Sequence, residues 1–493
     1  MHHALPGLAD LDRCGFPPAL DREGHHDAGG RRAATADACG EAAGEGTRRV
    51  ERERPARLDV ELLHGVMIAQ LPGANLTRCR AHGWDKGGTG VDKGRIAASM
   101  TIYLDHASTT PLRREVLDGM LPILQGTFGN PGSVHKAGRA ARAALDDARD
   151  RLANRLGVES RELVFTSGGT EADNLAIKGA AWAGKTRGHR IVSTAVEHHA
   201  VGHTLRYLEK FGFEIVEIGV DRYGRVDPDE VEAAITDRTS LVSVMYANNE
   251  VGTVQPIAQI VERVRRHKGV LLHVDAVQAA PYIALDLGAL GADLVSLGAH
   301  KFEGPKGVGV LYVRHGTHLL AQQHGGSQER YRRAGTEDVA GAVGMAIAYE
   351  LTRDELPDTV KRLRRLRERL QKQVLAVDGT ELTGHPRDRL PGLLSLICRE
   401  TDGNSVVLAL DLEGVGAAVG SACTSGSMDP SHVLAAMGYP DEEARGSLRL
   451  SLGRTTTDAE IDVAAEIVPR VLARQRTAAE AIALVAEGVG ALT

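Results

Sequence analysis

Aromatic residues make up only 3% of this 493-residue chain, so its core has to be built from Leu, Val, Ile and Ala. Cysteine is scarce too. The five thiols, Cys14, Cys39, Cys79, Cys398 and Cys423, are too scattered for a disulfide framework or a CxxC-type zinc site. A reducing, cytoplasmic setting is therefore expected, and it leaves room for a free, reactive thiol. No apolar run approaches the roughly 18 residues that a membrane span needs. The opening MHHALPGLADLDRC lacks the basic start and apolar stretch of a secretory signal. Basic charge is not in excess: the net charge of −6 gives no reason to expect nucleic acid or an anionic membrane as partner.

Residues 1–99 read differently from the rest. Stretches such as HHDAGGRRAATADACGEAAGEG have no sustained helical or strand period, and only residues 58–70 suggest a short amphipathic helix. The segment holds 14 basic and 14 acidic residues, so the net charge belongs to residues 100–493. That acid content is wrong for a mitochondrial-type transit peptide. The segment reads either as a disordered tail or as an upstream extension in front of a natural start at Met100, and no function is assigned to it.

From Met100 the pattern is regular. MTIYLDHASTTP is a short strand followed by a polar turn, and REVLDGMLPILQG and HKAGRAARAALDDARDRLANRLG are helical by periodicity. ELVFTSGG is a strand breaking into glycines, followed by the helix TEADNLAIKGAAWAG. RIVSTAVEHHA, EIVEIGV, LVSVMYANNEVG, VLLHVDAVQAA and ADLVSLGAHKFEG follow as strands ending in loops, with helices such as IAQIVERVRRH between them. This alternation implies an α/β fold with a mostly parallel sheet covered by helices on both faces. Ligands gather at the C-terminal strand ends of such sheets. After about residue 357 a charged helix, TVKRLRRLRERLQKQVLAV, leads to a second, smaller α+β domain with GLLSLICRE and SLRLSLGR as strands. The expected division is a large domain over 113–357 and a small one from 100–112 and 358–493.

Four features at strand ends make a coherent pyridoxal-phosphate site. SGGTEADN, residues 167–174, can bring backbone NH groups and a helix N-terminus to a phosphate, although such a turn is by itself more often just a capped helix. Asp275, flanked by apolar strand residues, needs a cationic or hydrogen-bonding partner, and a protonated pyridine nitrogen would serve. A turn-capping Asp is the plainer alternative. Lys301 follows 26 residues later in AHKFEGPKG, a spacing that fits one crossover to another strand end. A lysine there can form a Schiff base, with Lys306 the rival in the same loop. His198, in VEHHA, can stack on the ring and shuttle protons, with His199 the neighbour that points elsewhere. In the second domain, GSACTSGS surrounds Cys423 with small residues, as in an accessible, mobile loop. Cys398, inside an apolar strand, has the context of a buried small hydrophobe. Arg449 lies among apolar residues and needs an anion, either a substrate carboxylate held bidentately or an internal acid.

Together these motifs resemble the cysteine desulfurases of the class-V aminotransferase family, through residues 100–493 and none of 1–99. The resembling stretches are YLDHASTTP, FGNPGSVH, FTSGGTEADNLAI, VEHHAV, NNEVGTVQPI, HVDAVQ, AHKFEGPKGVG, HGGSQERYRRAGTED, GSACTSGSMDPSHVL and LRLSLGR. The cysteine segment looks like the branch with a long catalytic loop. The resemblance implies a fold-type I pyridoxal 5′-phosphate enzyme that converts L-cysteine to L-alanine. It implies that Lys301 carries the cofactor and removes the α-proton, that His198 stacks on the ring, and that Cys423 accepts the sulfur as a persulfide. Asp275 would pair with the ring nitrogen and Gln278 with the ring hydroxyl, while Gly169, Thr170 and His300 hold the phosphate. Asn249 and Arg449 would position the substrate carboxylate. Thr336 would reach the partner subunit's phosphate, so a homodimer with composite sites is implied. One departure stands out: Gly298 occupies a position where much of the family has a phosphate-binding serine, leaving a backbone NH or Ser296 to compensate.

The sulfur acceptor stays open between an iron–sulfur scaffold and a tRNA or DNA thiolation protein. Rival readings are another class-V enzyme, such as an aminotransferase or selenocysteine lyase, and a catalytically silent scaffold. Alanine release from cysteine separates the first, and a cofactor absorbance with turnover the second.

Overall fold

Seven strands form the main sheet: β2 (Leu163–Thr166), β3 (Arg190–Thr194), β4 (Glu214–Ile218), β5 (Thr239–Met245), β6 (Leu271–Asp275), β7 (Leu294–Gly298) and β8 (Gly309–Val313). They follow β1 (Ile102–Tyr103) and lie in the order β2-β8-β7-β6-β5-β3-β4. The computed structural model describes residues 102–420 and 430–490. All pairings are parallel except those of β8, which runs antiparallel to both β2 and β7. The segment GVLYV was not expected as a strand from the sequence; it follows Gly307 as the antiparallel member of an otherwise parallel sheet.

Both faces of this sheet are buried, and strand alternation divides its side chains between two cores. Val242, Val244, Phe165, Val310 and Tyr312 face one core. It is completed by helix α2 (Lys136–Leu156), which contributes Leu145 and Leu152, and by Val339–Tyr349 of a long helix. Val164, Leu241, Leu311 and Val313 face the other core, with α3 (Gly169–Ala183) and α4 (His199–Glu209). Helix α1 (Arg114–Gly126) lies against the long helix and leaves Leu117, Leu121 and Leu124 exposed.

The sheet β9 (Thr380–Leu382), β10 (Leu393–Cys398), β12 (Ser447–Ser451) is antiparallel, with Leu394 opposite Leu450 and Ser395 opposite Arg449. It shares a third core with Ile102, Leu104 and Ile461. Strand β1 pairs in parallel with β11 (Val415–Gly416), which ties the first described residues to the C-terminal part of the chain. The charged helix expected from about residue 359 in fact begins at Val339 and runs through Pro357 to Val374. Proline deprives that turn of one backbone bond. The buried apolar stretches on either side, Val339–Tyr349 in one core and Leu363–Val374 in another, hold the helix together across it. No helix among the described residues is long and apolar enough to cross a membrane.

Candidate active site

The C-terminal ends of β2, β3, β5, β6 and β7 surround a cavity of about 420 Å³. From β2 the chain turns through Ser167 and Gly168 into α3, whose N-cap Gly168 offers no side chain to the helix's first NH groups. Those donors are left for a ligand. The turn has to be glycine: a Cβ on Gly169 would stand 2.7 Å from Val277, and one on Gly309 of β8 would stand 2.6 Å from the Gly168 backbone.

Asp275 ends β6 with its carboxylate accepting the Val277 NH at 2.9 Å. Burial raises its pKa to about 6, against the pull of that bond and of Lys301. Gln278, one turn on, is 5% exposed and its Oε1 has no hydrogen-bond partner among the described residues. Strand β7 ends at Gly298, where a Cβ would lie 3.4 Å from the Gly169 nitrogen. The following turn, Ala299–Phe302, carries His300 and Lys301. The Lys301 ammonium donates to the carbonyls of Ala107 at 2.6 Å and Ser108 at 2.9 Å. His300 Nδ1 lies 3.1 Å from the Thr109 hydroxyl. His198 caps α4 by accepting the Ala200 NH at Nδ1. Burial first, then the Lys301 charge, lowers its pKa to about 4. His198 and His300, shifted similarly by burial and Lys301, are both neutral at pH 7.

Eight of the residues singled out from sequence line this cavity: Gly169, Thr170, His198, Asn249, Asp275, Gln278, His300 and Lys301. Lys306 lines it too, as an exposed residue. Thr336 does not line it and faces outward. Arg449, 2% exposed on β12, is held by an internal acid: its Nη2 donates to Asp105 at 2.9 Å and Ser108 at 2.7 Å, and its Nη1 to the Asn249 carbonyl at 2.9 Å. Ser296 is fully buried against His273 at 3.0 Å and lies off the cavity lining, so it does not stand in for the serine missing at Gly298. Cys423 lies outside the described residues. The residues flanking that segment are fastened near the cavity. Ser431 donates to Glu250 at 2.6 Å, and His432 bonds the carbonyl of Glu197, the neighbour of His198, at 2.9 Å. Cys398 is buried in β10, and desolvation pushes its thiol up to about 12.

Sequence reasoning did not single out Thr109, Met245 or Val277, which also line the cavity. Only Thr109 left a signal, the polar turn HASTTP between a strand and a helix.

The sequence model of the class-V aminotransferases matches residues 102–463. The chain belongs to the class-V aminotransferase family. Enzymes of this family depend on pyridoxal phosphate. Among its relatives, cysteine desulfurase IscS of Methanosarcina thermophila is 46% identical over 375 residues, covering 76% of this chain and 93% of that protein. Among solved structures, a NifS-like protein superposes with a TM-score of 0.72 at 36% identity, covering 76% of this chain and 99% of its own. A structure of SspA in complex with cysteine does so at 0.64 and 32%, covering 72% and 99%.

Proposed function

We propose that the chain is a pyridoxal-phosphate-dependent cysteine desulfurase, which converts L-cysteine to L-alanine and loads the sulfur on Cys423. The observation that carries this reading is the convergence of Lys301, Asp275, His198 and an uncapped helix N-terminus on one cavity. The flanks of the Cys423 segment are anchored beside it. The relatives named cysteine desulfurase, and the related SspA bound to cysteine, support the same substrate.

The residues fit the cofactor on grounds of their own. Among the described residues, the buried Gln278 oxygen lacks a partner, the buried Asp275 has no side-chain cation in direct contact, and the first NH groups of α3 lack a side-chain cap. Asp275 would meet the ring nitrogen and Gln278 the ring hydroxyl. Gly169, Thr170 and His300 would hold the phosphate, with the Gly298 backbone close against Gly169. When bound, the cofactor supplies an electron sink for the carbon beside the substrate's amino group. Lys301 would hold the cofactor covalently, then take the proton from that carbon. His198, neutral at pH 7, would stack on the ring and pass protons. Asn249 and Arg449 would orient the substrate carboxylate, which has to take over the Arg449 contact now made by Asp105. The Cys423 thiolate would attack the substrate sulfur: its S–S bond forms as the carbon–sulfur bond breaks, and protonation of the carbon gives alanine.

Several wider assignments belong to the same reading. A homodimer is supported by the outward-facing Thr336, which would reach the partner's phosphate, and by the exposed Leu117, Leu121 and Leu124 on α1. The large and small domains would meet within the long helix, near Pro357, where its two ends enter different cores. A cytoplasmic setting and a sulfur-acceptor protein for iron–sulfur assembly or thiolation complete the proposal.

Cys423→Ser tests the mechanism. The hydroxyl is nearly isosteric, so folding, cofactor binding and the cysteine-induced absorbance change should survive. Alanine and sulfide production should fall by at least about a thousandfold, the scale on which enzymes lose rate with their nucleophile. Mass spectrometry of the wild type after brief exposure to cysteine should find one added sulfur on the Cys423 peptide and none on Cys398. Undiminished alanine formation by the variant would sink the mechanism.

A further inference from the structure

The first turn of α3 presents a paradox. Its N-terminus is the part of the cavity suited to a phosphate, yet Glu171 stands in that turn, lines the cavity and is ionised. Burial works against its charge, and bonds from Arg333 and the Ser167 NH outweigh burial, so its pKa falls. A carboxylate beside an anion site repels the anion across a low-dielectric space.

Arg333 meets this charge directly. Its Nε donates to Glu171 Oε1 at 2.9 Å and its Nη2 to Oε2 at 3.3 Å, with only 20% and 16% of the two side chains exposed. The second oxygen also accepts the Ser167 NH at 2.6 Å. One carboxylate thus fixes the strand-to-helix turn and is neutralised by a guanidinium delivered from a distant segment. That segment is itself held down. Glu329, four residues before Arg333, inserts a buried carboxylate that accepts Arg149 at 2.6 and 2.8 Å and the Phe165 NH at 3.1 Å on β2. Gln322 reaches the Asn174 carbonyl on α3.

We propose that Arg333 is a positioning residue for the phosphate cradle: it cancels the Glu171 charge so that Glu171 can brace the Ser167–Gly169 turn without repelling the phosphate. The inference rests on the cofactor reading above. Arg333 touches Glu171 and not the cavity, so it acts through the carboxylate.

The experiment compares binding of pyridoxal 5′-phosphate and of pyridoxal, which lacks the phosphate, to the full-length apoprotein by fluorescence titration. Arg333→Ala should weaken pyridoxal 5′-phosphate by about tenfold or more, the scale of losing a charge-assisted pair at a desolvated site, and leave pyridoxal unchanged. Glu171→Gln added to Arg333→Ala removes the exposed charge while keeping an oxygen for Ser167, and should recover most of the loss. Arg333→Lys, which keeps the charge, should retain most of the phosphate preference. Equal weakening of both ligands, or no rescue by the Gln change, would overturn the proposal in favour of a purely structural pair. If the wild type binds pyridoxal as tightly as pyridoxal 5′-phosphate, the cofactor reading falls, and this inference with it.

Discussion

Single residues at this site are defined by what burial does to their charge. Asp275 and His198 are shifted in opposite directions, up and down, by the same desolvation. Each is thereby moved towards its neutral form. Lys301 and Lys306 both border the cavity, but their settings differ. The Lys301 ammonium is drawn inward to two backbone carbonyls beside β1, while Lys306 sits exposed at the edge. A covalent cofactor is therefore expected on Lys301. Lys301→Ala should purify without attached cofactor and form no alanine from cysteine. Borohydride reduction and peptide mapping of the wild type checks the assignment, and a pyridoxyl group on Lys306 would reverse it. Cys398 illustrates the opposite outcome: a thiol pushed up to about 12 in a strand interior is packing, not chemistry.

At the scale of elements, the segment carrying Arg333 and Thr336 is the least relaxed part of the described chain. Glu329, Arg330 and Tyr331 take φ values of 45°, 56° and 62°, three successive non-glycine residues in the left-handed region. Each costs about 1–2 kcal/mol. What holds the turn is the Arg149–Glu329 pair, almost fully buried and bidentate. Breaking such a pair leaves a buried charge and costs about 3–5 kcal/mol, which is of the same order as the strain of the three residues together. Tyr331 gains little in return, being 77% exposed. Tyr331→Gly should therefore raise stability by about 0.5–1 kcal/mol, strain relief exceeding the added unfolded-state entropy. Thermal unfolding of the cofactor-free protein reads this out. A lower melting temperature would mean that Tyr331 is covered in the assembled protein and that its ring contributes there.

For the molecule as a whole, the organising fact is that the described residues from Ile102 onward are gathered on four apolar cores, the fourth built around Val196, Met245 and Ile397. The first of these residues is already committed, since Ile102 pairs with Val415 and packs with Leu363 and Leu450. A protein beginning at Met100 is accordingly expected to fold, dimerise and bind cofactor like the full chain. Loss of solubility or activity on removing residues 1–99 would give that segment a structural part in the enzyme. Light scattering and a cofactor titration on the shortened chain decide the matter.

The sequence by itself determined the alternation of strands and helices and the polar residues at strand ends, because hydrophobic period and glycine turns are local properties. It also carried the family, through motifs spread from YLDHASTTP to LRLSLGR. It could not decide what lies between segments distant in the chain. Strand β8 reads as an ordinary apolar run, and only its pairing between β2 and β7 makes it the antiparallel member of the sheet. Proline at 357 looks like a boundary, yet two cores grip the helix on either side of it. Arg449 needed an anion on any reading, but that Asp105, 344 residues away, now supplies it is a fact of packing alone. The same holds for Arg333 and Glu171, separated by 162 residues. Charge compensation at a buried site depends on distances of a few ångströms, and those are set when the chain folds.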